Sequence, residues 1–413
     1  MGRYAKRIIA LYKPQIVGIT GSVGKTSAKE AIGKILSAQF NIRETYKNYN
    51  NELGLPLTII GEKSAGRSIS GWLNIFKKAR VLIKNKNLSY PQVLILEMGI
   101  DHPGDMNYLT SIAKPSRAVI TKLGQAHLEF FKSLENLHAE KLKLADSLHE
   151  DGWIMYNADD ERLVKAIEKI NKRSISFGFS EKAEIKAEHL SFSIDQDGKS
   201  GQSFKLLYNG SSIPVFLSGV LGRPAVYAAL SAAATALSFN MNGLEVAEAI
   251  RTVKQPPGRM QLIEGIEDTL IVDDTYNSSP DSVFEGLDAL QQIPKEKRKR
   301  LWSVLGSMKE LGSLTKRSHE EVALAAEKIS DFVIAVGEEA KIITETLKDS
   351  SVHSMWFGNC EDASDYIESE LMSDDLFYIK GSQAARMEKI VKRLMVNPQK
   401  ANELLVRQEK EWK

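Results

Sequence analysis

The chain has 413 residues, of which 43% are apolar, with 55 Lys and Arg against 53 Asp and Glu. That length accommodates two or three domains, each with its own core, and the near balance of charge argues against nucleic acid as a main partner. The single cysteine, Cys360, excludes an intrachain disulfide or a cysteine-built zinc site and fits a reducing cytoplasm.

In chain order, MGRYAKRIIALYKP (1–14) is basic and partly apolar. It is too short and interrupted for a signal peptide and predicts a short helix packed on the first domain. No run of about 18 apolar residues occurs, so no membrane span is expected. IVGIT (16–20) reads as a buried strand before a helix over 26–38, and QVLILEMG (92–99), RAVITKLG (117–124) and GWIMYNADD (152–160) are further strand candidates. Strands separated by helices predict a parallel sheet covered on both faces, with ligands at the carboxyl ends of its strands. In segment 66–92, Trp72, Leu73, Ile75, Phe76, Val81, Leu82 and Ile83 alternate with Lys77, Lys78, Arg80, Lys84 and Lys86. Such a basic amphipathic helix either packs on the protein, the favoured reading, or lies on an anionic membrane surface.

Residues 174–217 read as short strands joined by Gly, Asp and Ser turns, a small antiparallel sheet edge. An Ala-rich helix over 222–237 follows, and KQPPGRM (254–260) marks a domain boundary. Beyond it, TLIVDD, RLWSVLG, DFVIAVG and LFYIKG alternate with helices over 280–292, 315–329 and 338–348 and a last helix to about 396. The expectation is α/β: a parallel-sheet domain with a small antiparallel sheet (1–257), a second α/β domain (258–396) and a charged tail (397–413).

The chemistry concentrates at TGSVGKTS, Thr20 to Ser27. Gly21 and Gly24 allow a tight turn with N–H groups directed inward, and the following helix adds partial positive charge. Lys25 can reach terminal phosphates and Thr26 can offer a hydroxyl to Mg²⁺. Ile19 stands where a strict P-loop has glycine. With NYNNELGLPLT (48–58), the run 96–144, NADD (157–160), PGRM, IVDDTYNSSPDS, VLGSMKELG and IKGSQAARME, this loop resembles the Mur ligase family over roughly residues 14–395.

The resemblance implies that the first domain is a P-loop-type ATP-binding domain and the second Rossmann-like, and it implies ADP-forming amide ligation in peptidoglycan precursor synthesis through an acyl phosphate, most closely that of the members that add D-alanyl-D-alanine. ATP and Mg²⁺ are the implied cofactors, with Thr20, Gly21, Ser22, Val23, Gly24, Lys25, Thr26, Ser27, Asn157, Arg259 and Asp274 on the nucleotide. Lys25, Glu97, His127 and Lys141 are the implied catalytic residues. Thr26, Glu97 and His127 are implied metal ligands, joined by Lys141 if CO₂ carbamylates it. Asn50, Asn51, Tyr276, Asn277, Lys380, Ser382 and Glu388 are implied on the substrate side. The expected partners are small-molecule or peptide substrates and not nucleic acid, for a monomer in the cytoplasm.

The sequence also departs from the family pattern. With the loop starting at residue 20, no room precedes it for the family's UDP-binding domain, which is expected to be absent. Pro224 and Ala225 replace a His-Asn pair, so adenine is expected to be held elsewhere or loosely. Lys143 replaces Glu, Ser307 replaces Asp and Gln383 replaces Arg, the last removing a forked cation. Two alternatives stay open: a ligase that polymerises amino acids on a non-UDP or lipid-linked acceptor, and an ATP-binding subunit that acts through a partner.

Overall fold

The computed structural model describes residues 1–47, 49–85, 88–124, 130–409 and 412. It contains two compact units: unit 1 comprises 1–189, 204–215 and 226–253, and unit 2 comprises 190–203, 216–225 and 254–413.

The first sheet has nine strands: β1 (Gln15–Thr20), β2 (Ile42–Glu44), β3 (Val93–Glu97), β4 (Arg117–Ile120), β5 (Trp153–Asn157), β6 (Arg173–Gly178), β7 (Ile185–Ile194), β8 (Ser200–Tyr208) and β9 (Ser211–Ser218). Their order is β2-β3-β1-β4-β5-β6-β7-β8-β9. Both β1 and β3 are apolar runs buried on both faces, as central parallel strands must be. The register sets Ile19 opposite Glu97, Thr20 opposite Ile120 and Ile120 opposite Tyr156. Thr20, Glu97, Thr121 and Asn157 therefore meet at one carboxyl edge. The chain leaves β1 for β2 and β3 on one side and returns to β4 on the other, which makes the end of β1 a switch point, the place where open α/β sheets bind ligands.

The strands expected as a small antiparallel sheet edge do form the edge of the large sheet, although the first of them pair in parallel. β6 runs parallel to β5, and β7 to β6. Asn209 and Gly210, with φ of 48° and 76°, close the two-residue connection from β8 to β9, which can join only antiparallel strands.

The helices accompanying this sheet are α1 (Gly2–Tyr12), α2 (Lys25–Leu36), α3 (Gly54–Ile60), α4 (Ile69–Lys84), α5 (Asp105–Ile112), α6 (Leu134–Asp146), α7 (Glu161–Ile167), α8 (Arg223–Ser238) and α9 (Gly243–Ile250). Ser133 caps α6, its side chain accepting from Asn136 N. The buried side of α6 carries Leu137, Lys141 and Leu144, one helical stripe that takes the lysine inward with two leucines. As the N-terminal sequence predicts, α1 is a helix on this unit, with Ala5 and Ile8 buried.

Unit 2 holds a six-stranded sheet of β10 (Gln261–Glu264), β11 (Leu270–Asp274), β12 (Leu301–Gly306), β13 (Phe332–Val336), β14 (His353–Phe357) and β15 (Leu376–Lys380), in the order β10-β11-β15-β12-β13-β14. Only β10 is antiparallel to its neighbour; the other pairs are parallel, which is a Rossmann-like arrangement. Its helices are α10 (Pro280–Leu290), α11 (Thr315–Glu327), α12 (Lys341–Thr346), α13 (Cys360–Glu370), α14 (Glu388–Leu394) and α15 (Ala401–Leu404). At its centre the Trp302 ring stacks on Phe332, with centroids 3.9 Å apart. The charged tail belongs to this unit, with Ala401 and Leu405 buried in its core. Parallel pairing sets Asp274 opposite Lys380.

Candidate active site

The loop from Thr20 to α2 is shaped by its glycines. Gly21 has φ of 146°, and a Cβ there would lie 2.0 Å from Thr121 Oγ1. Gly24, at φ 82°, is the N-cap of α2. Thr20 Oγ1 donates to Met98 O at 3.0 Å, Ser22 N donates to Lys122 O at 2.8 Å, and Thr121 Oγ1 donates to Val23 O. The loop is thereby fastened on both sides to the strand ends around it. Lys25 Nζ arches back to Gly21 O at 2.7 Å. Ser27 is buried in the first turn of α2.

Beside this loop the Glu97 carboxylate ends β3, with 3% of its surface exposed. Thr26 Oγ1 donates to its Oε2 at 3.1 Å and Asn50 Nδ2 to its Oε1 at 3.0 Å, while Thr45 Oγ1 receives Glu97 N at 3.0 Å. Asn51 acts locally, its Oδ1 accepting from Gly54 N at 2.9 Å at the start of α3.

Lys141 is 2% exposed. Its Nζ donates to Ser22 Oγ at 2.6 Å, and the same oxygen accepts from Gly124 N at 2.8 Å. Burial, with the charge of Lys25 second, lowers the Lys141 pKa to about 7. Lys143, where the family pattern has Glu, pairs with the buried Glu140 at 2.5 Å. His127 lies outside the described residues.

A cleft of ≈ 320 Å³ shares Lys122 with the wall of the loop and is lined also by Asn157, Asp159, Asp160, Glu161, Arg162 and Tyr227. Asn157, buried, accepts from Asp159 N at 2.9 Å. Asp160 accepts from Leu123 N at 2.8 Å, and Arg162 Nη2 donates to Leu123 O at 2.6 Å, fixing the segment after β4. Tyr227 OH donates to Asp159 Oδ2 at 2.7 Å, and its ring meets Phe179 edge-on at 5.1 Å.

In unit 2, Asp274 holds Lys380 Nζ at 2.5 Å, and Lys380 also donates to Asn277 O at 3.0 Å. The Arg259 guanidinium lies 4.0 Å from the centroid of the Tyr276 ring. Burial raises Asp273 to about 7, against the hydrogen bonds from Thr275. Ser382 Oγ and Asp273 Oδ2 are buried with no partner among the described residues. Glu388 is 1% exposed and takes Arg386 Nε on one oxygen at 2.6 Å and Arg407 Nη2 on the other at 3.0 Å. Arg407 also donates to the carbonyls of Thr275 and Tyr276.

Among the departures, Pro224 lies in the first turn of α8, where its missing N–H is tolerated, and Ala225 is buried. Ser307 Oγ accepts from Ala340 N at 3.2 Å, and Gln383 is exposed.

Sequence reasoning missed Thr45, Thr121, Asp160, Arg162 and Arg407. Asp160 lay inside the NADD motif. The two threonines end or follow strands in the manner of Thr20, and that was the available signal. Arg407 had none, because its partners lie 131 and 132 residues earlier.

A glycine loop between β1 and α2, a buried carboxylate hydrogen-bonded to its threonine, and a buried lysine on its serine stand together at the carboxyl edge of a parallel sheet. The sequence pattern of the Mur ligase middle domain matches residues 19–68 and 78–236, and that of the Mur ligase glutamate ligase domain matches 258–383. The chain belongs to the Mur ligase family, whose middle domain is P-loop ATPase-like and whose C-terminal domain is Rossmann-like. It is 27% identical to the UDP-N-acetylmuramoyl-tripeptide–D-alanyl-D-alanine ligase of Bacillus subtilis over 95% of this chain and 79% of that protein. To the Escherichia coli ligase of the same name it is 28% identical over 93% of this chain and 77% of the other. The crystal structure of the MurF ligase from Thermotoga maritima in complex with ADP matches with a TM-score of 0.78 at 25% identity, covering 95% of this chain and 82% of that one. Among the described residues no helix is long and apolar enough to cross a membrane.

Proposed function

We propose that this chain is an ADP-forming ligase that joins D-alanyl-D-alanine to the terminal carboxylate of a UDP-N-acetylmuramoyl-tripeptide, acting as a monomer in the cytoplasm. The observation that carries the reading is the Thr26–Glu97–Asn50 chain set against the glycine loop, with Lys141 buried on the same loop. Relatives with that name match along nearly the whole chain.

The donor set fits magnesium. Thr26 and Glu97 offer hard oxygens, and no cluster of three or more His, Cys, Asp or Glu side chains that would form a complete protein cage occurs among the described residues. Magnesium takes one or two carboxylates and fills its shell with phosphates and water. When bound it would neutralise the charge on the phosphates as the γ-phosphoryl group leaves ATP. The residues of the chain orient the reactants around that event. Lys25 exchanges Gly21 O for a phosphate oxygen, and the N-terminus of α2 faces the same anion. The acceptor carboxylate attacks the γ-phosphorus, ADP leaves, and the incoming amine displaces phosphate from the acyl group to form the amide.

Lys141 supports a further step in this reading. With a pKa of about 7 a large share of its amine is unprotonated at neutral pH, the form that adds to CO₂ and, losing a proton, becomes a carbamate. The product would place an anion beside Ser22, joining Glu97 and His127 as a magnesium ligand. Asn157, Arg259 and Asp274 are proposed on the nucleotide, and Tyr276, Asn277, Lys380 and Ser382 toward the amine. The Glu388 carboxylate is already occupied by two arginines, so its role in this reading is to hold Arg386 and Arg407.

One observation favours a different incoming amine: Gln383, beside Ser382, is exposed where the family pattern has a forked cation. The deciding experiment measures ADP release and, by mass spectrometry, amide product from UDP-N-acetylmuramoyl-tripeptide with D-alanyl-D-alanine. Product formation dependent on all three substrates supports the proposal. ADP release only with a different carboxylate transfers the activity to that acceptor, and ADP release indifferent to any acceptor overturns the ligase reading.

A further inference from the structure

Helices α1 and α4 pack side by side, and their inner faces are fully committed. Ala5, Ile8, Ile75, Ala79 and Leu82 are buried. The Tyr4 ring meets Phe76 at 5.8 Å, Arg80 Nε donates to Tyr4 OH at 3.3 Å, and Tyr12 OH donates to the carbonyls of Leu82 and Asn85. These contacts fulfil the packing role that the sequence favoured for the segment, and they leave the outer face unexplained.

On that outer face Ile69 is 79% exposed, Leu73 64% and Val81 45%. Spacings of four and eight residues put the three on one helical stripe. Lys77, Lys78, Arg80 and Lys84 are exposed on the same helix, and Arg3, Lys6 and Arg7 on its neighbour α1. Neither helix contains a carboxylate. Lys78 finds an acid in the preceding loop, pairing with Glu62 at 2.6 Å. The net charge of the whole chain is only +2, so this excess of cations is a local property. Crowded like charges repel one another and the open aliphatic side chains stay in water, and both conditions are relieved by a surface anionic at its boundary and apolar beneath.

We propose that the outer face of α1 and α4 docks on an anionic lipid bilayer. Ile69, Leu73 and Val81 enter the headgroup boundary while the lysines and arginines meet lipid phosphates. Nucleic acid would satisfy the cations but not the aliphatic stripe, which has no base to stack on and no apolar medium to enter. Trp72 and Phe76 are half-buried against the protein, so the docking side chains are the aliphatic ones. The proposal is independent of the ligase reading, because none of its residues belongs to the nucleotide site.

The test is co-sedimentation of the full chain with vesicles of phosphatidylcholine alone or mixed with phosphatidylglycerol. The chain should pellet with the mixed vesicles, stay soluble with the neutral ones and be released by salt. Ile69→Glu with Leu73→Glu should lower binding about tenfold or more. Lys77→Glu with Lys84→Glu should lower it by about fivefold per cation lost. Both double variants should keep the melting temperature and ADP release of the parent. Failure to pellet with phosphatidylglycerol, or variants that pellet like the parent, overturns the proposal. So does binding of a DNA duplex that the same substitutions abolish while vesicles are ignored.

Discussion

Replacing Lys141 by methionine separates the cost of burying this lysine from its chemistry. The ammonium has a pKa of about 7 in the folded chain against an ordinary 10.5, first because burial removes its water and then because Lys25 is near. Between those two values the unfolded chain holds a proton that the folded chain has released, so folded stability rises with pH across the window and is level below it. At about 1.36 kcal/mol for each pH unit, the cost of burial reaches roughly 5 kcal/mol below pH 7 and fades as pH approaches 10.5. Methionine fills similar space without a charge. It gives up the hydrogen bond to Ser22, about 1 kcal/mol, while Gly124 N still reaches that oxygen. Lys141→Met should therefore be more stable than the parent by about 4 kcal/mol at pH 7, an advantage that shrinks by about 1.4 kcal/mol per pH unit above it. Calorimetric melting in CO₂-depleted buffer across that range measures the difference. Adding bicarbonate should then raise the melting temperature of the parent and leave the variant unmoved, since only the parent has an amine to capture CO₂. A stability difference that does not change with pH, or a bicarbonate effect of equal size in both proteins, refutes the reasoning.

Glu97→Gln should cut magnesium-dependent ADP release by at least about 100-fold with little change in melting, because the amide keeps the shape but loses the charge; parental rates in the variant would remove Glu97 from the metal site. Gly21→Ala should cost roughly 2–4 kcal/mol and abolish nucleotide affinity, since a Cβ would strike Thr121 Oγ1 from a backbone angle that alanine avoids; isothermal titration with ADP and thermal melting read both. Arg407→Met should lower the stability of unit 2 by about 2–4 kcal/mol, and Arg407→Lys should restore little of it, because one ammonium cannot span Glu388 and two carbonyls; an unchanged melting curve would show that the clamp holds nothing.

The parts of the fold that were legible are those whose pattern is local. IVGIT is an apolar run ended by glycine, and β1 follows it with five consecutive buried residues. The strand β14 went unread because it lies at an edge of its sheet, partly exposed, so HSMWF shows neither a continuous apolar run nor a clean alternation. β6 and β7 read as part of an antiparallel edge because short strands and turns look alike whether they pair in parallel or antiparallel. At the site, the loop and Glu97 could be read from strand-end position. The environment of Lys141 could be inferred from Leu137 and Leu144 on either side of it along one helical stripe, yet its hydrogen bond to a serine 119 residues earlier could not. The masking of Glu388 by two arginines was likewise invisible, since one of the two comes from what reads as a solvated tail.

That tail sets an order of events for the newborn chain. The turn after β11, with Thr275 and Tyr276, leaves the ribosome long before residue 407, yet its carbonyls are held by a guanidinium 131 and 132 residues further along the chain. Until then Glu388 has only Arg386, and the turn is held by Asp273 and Gly258 without the clamp on its carbonyls. A protease cut between Val406 and Arg407 would remove no strand of unit 2 and neither Ala401 nor Leu405 of its core while loosening this turn, so intact secondary structure alone would not certify a working molecule.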